Sequence, residues 1–163
     1  MRIKLLRIDS RLIHGQVANN WVNHVGAGTI IAANDSAAKD DLRKTLLLQV
    51  APGNTKSYVM SVAKTARCYK NPTYKDLDVL MVVETPRDVL RLMDDGVEVS
   101  QVNVGGITYK EGMTLISEAV SVSKEDIEAF KELDERGVKL ILQQLPNTSA
   151  TDFMGRLKSK KLI

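Results

Sequence analysis

One cysteine, Cys68, stands in 163 residues. An internal disulfide is excluded, and a reducing, cytosolic setting is the expectation. Cys68 itself reads as a packing residue. Aromatic residues make up only 4% of the chain, so the core must be built from Val, Leu, Ile, Ala and Met. Two histidines and one cysteine are too few for a zinc cluster, and no metal is expected. No apolar run approaches the roughly 18 residues that cross a bilayer, so any role at a membrane is peripheral, and no signal peptide is read before the first strand. No GxGxxG follows the first strand and no GxxxxGK[ST] occurs, which removes the main support for dinucleotide and P-loop chemistry. Linkers, internal repeats and low-complexity segments are also missing from the pattern.

Apolar residues make up 44% of the chain, enough for a true core. The net charge of +3 is spread over the length. That mild excess suits anionic ligands or an acidic partner and lacks the concentrated basic stripe of a nucleic-acid binder. The one basic cluster, "RLKSKKLI" at the end of the sequence, reads as a solvated last helical turn.

The length favours one domain, taken as residues 1–163. Strands alternate with helices along it. Strands are expected at 3–9, 29–34, 57–62, 78–83, 99–104, 118–123 and 138–144, with apolar alternation at 3–9 and 118–123. Helical spacing begins at Gln16 and runs through Val17, Trp21 and Val25. A second helix is expected over Ser36–Val50, with Ala38, Leu42, Leu46 and Val50 as its apolar stripe. "TPRDVLRLMDDG" is a third, with Thr85 as N-cap, Pro86 in the first position and Gly96 at the end. Ser123 and Asp126 cap a helix reaching Arg136, closed by Gly137, and 149–159 is the last helix. The fold class is α/β: an open twisted, mostly parallel sheet of about seven strands with helices on both faces.

Ligands of such folds collect at the carboxyl ends of the strands. The residues expected on that rim are Asp9, Ser10, Arg11, His14 and Gln16 after the first strand, Asn34 and Asp35 after the second, Glu84 and Thr85 after the fourth, and Gly105 and Gly106 after the fifth. "RIDSRLIHGQV" at 7–17 is the informative stretch. His14 stands just before a helix, where free backbone N–H groups and the dipole favour an anion. Arg7 and Arg11 add planar donors that suit phosphate. A neutral imidazole is a nucleophile, so the set matches the needs of a phosphohistidine: a nitrogen to attack phosphorus and cations to receive its oxygens. Gly15 leaves room for a donor, Gln16 offers an amide, and Asp9 is placed to orient Arg11 or the imidazole. His24, late in the helix and without an arginine beside it, reads as structural. The glycine pair after the fifth strand reads as a turn, or as a place where a phosphate or a partner reaches the backbone.

The sequence resembles the IIB components of the mannose/fructose/sorbose class of the bacterial phosphoenolpyruvate:sugar phosphotransferase system. The resemblance runs through "RIDSRLIHGQV", "ANDSAAKDDLRKTLL", "VNVGGI" and "LDERGVKLILQQLP" in order along the chain. It implies a cytoplasmic phosphocarrier working at the inner face of the membrane. His14 would accept a phosphoryl group on Nδ1 from a phosphohistidine of the IIA component and pass it to a sugar held by the membrane components IIC and IID. IIA would be a separate protein or a part cut away from this chain. Arg7 and Arg11 would be the electrostatic donors, Gln16 a further site residue, and Asn34, Asp35, Thr85 and the Gly105–Gly106 loop would complete a rim for phosphate or partner. No cofactor is implied, and a homo-oligomer fits the family's multisubunit habit. Two other readings stay open on the residues: a non-catalytic anion- or nucleotide-binding module with Arg7 and Arg11 as a static clamp, and a regulatory protein whose phosphorylation state is read by another factor.

Overall fold

In the computed structural model, which describes residues 1–163, six of the seven expected strands sit side by side and parallel in one sheet. They are β1 (Arg2–Asp9), β2 (Thr29–Ala33), β3 (Lys56–Met60), β4 (Asp78–Val83), β5 (Gln101–Gly106) and β8 (Lys139–Leu142). The strand order is β3-β2-β4-β1-β5-β8-β9, with the two-residue β9 (Thr151–Asp152) antiparallel at the edge. The sheet thus has the expected seven strands but a different seventh member. The stretch expected as a strand at 118–123 forms only β7 (Ser121–Val122), which pairs antiparallel with β6 (Thr114–Leu115) in a separate ribbon. Neither segment is long enough to add a full strand to a sheet, and Ile107 and Val120 make a single bridge to it.

Helices cover both faces. α4 (Val62–Lys70), α5 (Pro86–Asp94), α6 (Lys124–Glu135) and α7 (Phe153–Ser159) close the larger core, into which Ile8, Ile31, Met81, Val102 and Val104 point. On the other face a π-helical turn, Gln16–Trp21, runs into α1 (Val22–Val25), followed in the chain by α2 (Asp35–Lys39) and α3 (Asp41–Val50). That core takes Ile30, Ala32, Val59, Leu80 and Val82 from the sheet, alternate to the first set, as the two-residue period of a strand requires. It takes nothing from β5 or β8. On this part of the face the buried side chains are polar, Arg7 and Asn103, beside the end of β1.

Several local expectations differ from what is found. The helix expected over 36–50 is broken in two at Asp40, whose extended backbone and side chain cap a new start by accepting from the Arg43 N–H. The stripe expected to face inward, Leu42, Leu46 and Val50, is exposed, and Leu47 is the buried residue instead. α4 carries only Val62, Thr65 and Ala66 as buried positions and has no long apolar stripe to announce it. The caps at Thr85 and Ser123 are formed as expected; the latter is a complete capping box with Asp126.

Candidate active site

The carboxyl ends of β1, β5 and β8 make the site. β1 lies between β4 and β5, and after Asp9 the chain must turn sharply to reach the helix on one face. It does so with Leu12 in the left-handed region, at φ 58°, a conformation that costs an ordinary residue roughly 1–2 kcal/mol. The turn is held by the Leu12 N–H donating to the Asp9 carbonyl at 2.9 Å and by full burial of Leu12 and Ile13 in the second core. His14 follows at the surface, its side chain 15% exposed, and its carbonyl accepts the N–H of Ala18 in the helix that begins there. That helix opens with a π turn, a wide geometry that collects at functional sites.

The chemistry centres on Asp9, whose side chain is wholly buried. Its Oδ2 accepts from Arg7 Nε at 3.2 Å, Arg7 Nη2 at 3.0 Å and His14 Nε2 at 2.8 Å. Its Oδ1 accepts from the Arg11 N–H at 3.1 Å, with the Arg11 Nε 3.8 Å away. An ionised carboxylate only accepts, so Nε2 carries a proton, and in the neutral ring Nδ1 keeps its lone pair. Burial pushes the Asp9 carboxyl up, but the hydrogen bond from His14 and the charge of Arg7 outweigh it and the net direction is down. Asp9 therefore stays anionic and holds the imidazole in one tautomer.

Arg7 is as buried as Asp9. Its Nη1 donates to Asn103 Oδ1 at 2.7 Å and to the Gln143 carbonyl at 3.1 Å, and the Trp21 ring lies 5.4 Å from its guanidinium carbon, within cation–π range. Burial pulls this guanidinium down and the Asp9 carboxylate raises it, with the net direction down. Gly105 belongs here for a steric reason. A Cβ on it would stand 1.9 Å from Arg7 Cζ, and one on Gly106 would stand 3.2 Å from the Asp9 carboxylate oxygens. The pair is not a turn. Both glycines are the last residues of β5, and they make room for a buried ion pair.

This placement corrects the part expected of Arg7. Its Nε and both terminal nitrogens already donate to protein acceptors, and none of it reaches solvent, so it does not serve as a donor to an incoming phosphoryl group. Arg11 does reach solvent, with 52% of its side chain exposed, and its Nη2 lies 3.5 Å from Gln16 Oε1. Asn34, Asp35 and Thr85 lie at the same end of the sheet but bond elsewhere. Asn34 caps α2 by accepting from the Ala37 N–H and donates to Glu84. Asp35 accepts from the Val62 N–H and from Arg91. Thr85 caps α5 against Asp88. The expected rim therefore divides into two clusters with no hydrogen bond between them. Asn103, Gln143 and Trp21 were not anticipated as site residues. The only sequence signal for Asn103 is a polar residue between the apolar Val102 and Val104 of a strand.

Comparison with known proteins identifies the family. Residues 3–163 match the family model described as PTS system sorbose subfamily IIB component. The chain is 41% identical over 159 residues to the fructose-specific EIIB component of Bacillus subtilis, covering 98% of both chains. It is 43% identical over 160 residues to the mannose-specific EIIAB component of Escherichia coli, covering 96% of this chain and 50% of that one. The IIBSor domain of the sorbose permease from Klebsiella pneumoniae superposes with a TM-score of 0.94 at 39% identity, covering 98% of each. The seven-stranded α/β fold and the match over nearly its full length place this chain among the sorbose-subfamily IIB components of the phosphoenolpyruvate:sugar phosphotransferase system, which are sugar phosphotransferases that work through a phosphorylated intermediate.

Proposed function

We propose that His14 is the phosphorylated residue and Nδ1 the atom that carries the group. The observation behind this reading is the division of labour on one ring: Nε2 is held by a buried carboxylate at 2.8 Å, and Nδ1 is left with a free lone pair on a partly exposed side chain. Nδ1 attacks the phosphorus of a phosphohistidine on the IIA component. The new P–N bond forms as the donor's P–N bond breaks, and the donor imidazole leaves. Asp9 stabilises the positive charge that develops on the His14 ring. Arg11, exposed beside it, supplies cationic donors to the phosphoryl oxygens. In the second step a sugar hydroxyl attacks the same phosphorus, the Nδ1–P bond breaks, and the hydroxyl proton leaves to the medium.

The acceptor sugar is held by the membrane components IIC and IID, with this chain working at the cytoplasmic face. No helix here is long and apolar enough to cross a membrane. The mannose-specific relative is an EIIAB protein, in keeping with IIA as the immediate partner. Neutral hexoses or amino sugars are the substrate class, since the relatives are named for fructose, mannose, sorbose and N-acetylgalactosamine. The group arrives already activated, so neither nucleotide nor metal enters either step. A static clamp of Arg7 and Arg11 on an anion is disfavoured, because Arg7 has no free edge.

The test is phosphoryl labelling from phosphoenolpyruvate through enzyme I, the histidine carrier protein and IIA. Wild type takes an acid-labile label and His14→Ala, still folded, takes none. A label that survives the substitution removes His14 from its role.

A further inference from the structure

Arg7 and Asn103 are direct partners in register on β1 and β5, and their side chains meet on one face of the sheet, where Trp21 packs over Arg7. Asn103 is 3% exposed, between two valines of the main core. Burying an amide there is costly unless both its ends are bonded. They are: Oδ1 accepts from Arg7 Nη1 at 2.7 Å, and Nδ2 donates to the Gln143 carbonyl at 3.1 Å. The same carbonyl accepts the other Arg7 contact, also at 3.1 Å, which closes a three-membered ring of hydrogen bonds.

A guanidinium is planar and cannot shed its charge, so its hydrogen-bond partners decide how it is turned. Gly105 lies against it without a side chain, and Trp21 offers a ring at 5.4 Å. Neither contact stops rotation of the guanidinium within its own plane. Only the acceptors do that: Asp9 on the Nε–Nη2 edge and Asn103 with the Gln143 carbonyl on Nη1. Asp9 Oδ2 is in turn the atom that holds His14.

We propose that Asn103 is a positioning residue for phosphoryl transfer: it sets the rotation of Arg7, which sets the Asp9 carboxylate, which keeps His14 in the Nε2–H tautomer with Nδ1 open. This rests on His14 being the nucleophile, but its first readout does not require that.

The experiment compares wild type, Asn103→Leu and Asn103→Asp. Leucine keeps the bulk and removes the acceptor, while aspartate keeps an acceptor for Nη1. Imidazole nitrogen chemical shifts of the unphosphorylated protein report the tautomer, and rapid labelling from phosphorylated IIA reports the transfer rate. Asn103→Leu is expected to mix in the Nδ1–H tautomer and to slow transfer roughly tenfold to a hundredfold, with the half-saturating donor concentration little changed. Asn103→Asp is expected to restore the single tautomer and most of the rate. A folded Asn103→Leu protein with wild-type tautomer overturns the proposal, whether or not its rate falls. If the leucine variant does not fold, the aspartate variant decides: a retained Nε2–H tautomer supports the proposal and a mixed one overturns it. A wild-type chain that takes no label on His14 refutes the function proposed above, and the tautomer comparison still judges Asn103.

Discussion

Two acid–arginine clusters sit at the same end of one sheet and do different work. Beside β1, a buried carboxylate and a buried guanidinium hold an imidazole. Beside β2 and β4, Asp35, Asp88, Arg91 and Thr85 hold one another and the starts of helices. Residue type does not separate them, since each pairs aspartate with arginine. Burial and the third partner do. Arg7 and Asp9 are both wholly buried, while Arg91 and Asp35 are each 42% exposed. Both aspartates also accept a backbone amide, but only Asp9 holds a titratable ring as well. A charge pair taken out of water gains directional control over whatever it touches, whereas an exposed one is screened.

The largest expected effect breaks the first cluster outright. Arg7→Leu leaves the buried Asp9 carboxylate without its guanidinium and should cost about 3–5 kcal/mol of folding stability. Arg91→Leu should cost no more than about 1 kcal/mol. Denaturant titration of the two variants measures both, and equal losses would erase the contrast. Next in size is Gly105→Ala, whose new methyl meets Arg7 Cζ at 1.9 Å. It should lose about 1–3 kcal/mol by overpacking and slow labelling of His14. Gly28→Ala, with open space at that position, is the control and should leave labelling untouched.

The smallest expected effect is in the acid limb of stability. Asp9 is held below the ordinary carboxylate range, so its ionisation stabilises the fold fully above the unfolded value of about 4. That stabilisation is lost as pH falls through the lower folded value. Asp35 acts with the same sign, held down first by the Val62 amide and then by Arg91. Asp88 has the opposite sign: burial raises it, so its protonated form favours the fold and that contribution is lost as pH rises. Asp88→Asn should therefore steepen the rise of stability between acid and neutral pH. An unchanged or shallower rise, followed by thermal unfolding across that range, would show that the two clusters titrate alike.

The parts of this molecule that were legible in sequence are those where local chemistry and tertiary demand agree. "DVLMVV" is a short apolar run and becomes β4 residue for residue. Thr85–Pro86 and Ser123–Asp126 carry their own capping chemistry and start helices where expected. The errors come from features a local pattern cannot hold. Leu42, Leu46 and Val50 have helical spacing but face outward, because the Asp40 cap starts a second helix and Leu47 takes the core position. β9 is two residues long and exists only because β8 offers an edge. In the site, the meeting of His14, Arg11 and Asp9 near a helix start was readable from their closeness in sequence. Asn103 was not, since it meets Arg7 across 96 residues of sequence. The two glycines were noticed for the wrong reason: what they avoid is a side chain that arrives from another strand.

The left-handed Leu12 bears on how the protein survives being handled by successive partners. With that backbone corner locked and its side chain anchored below, the span from carboxylate to imidazole behaves as a ruler of constant length. Arg11, by contrast, is half exposed and carries no such anchor. An extra residue inserted after Ser10 would remove the corner and swing the ring away, leaving a well-formed sheet that passes nothing on.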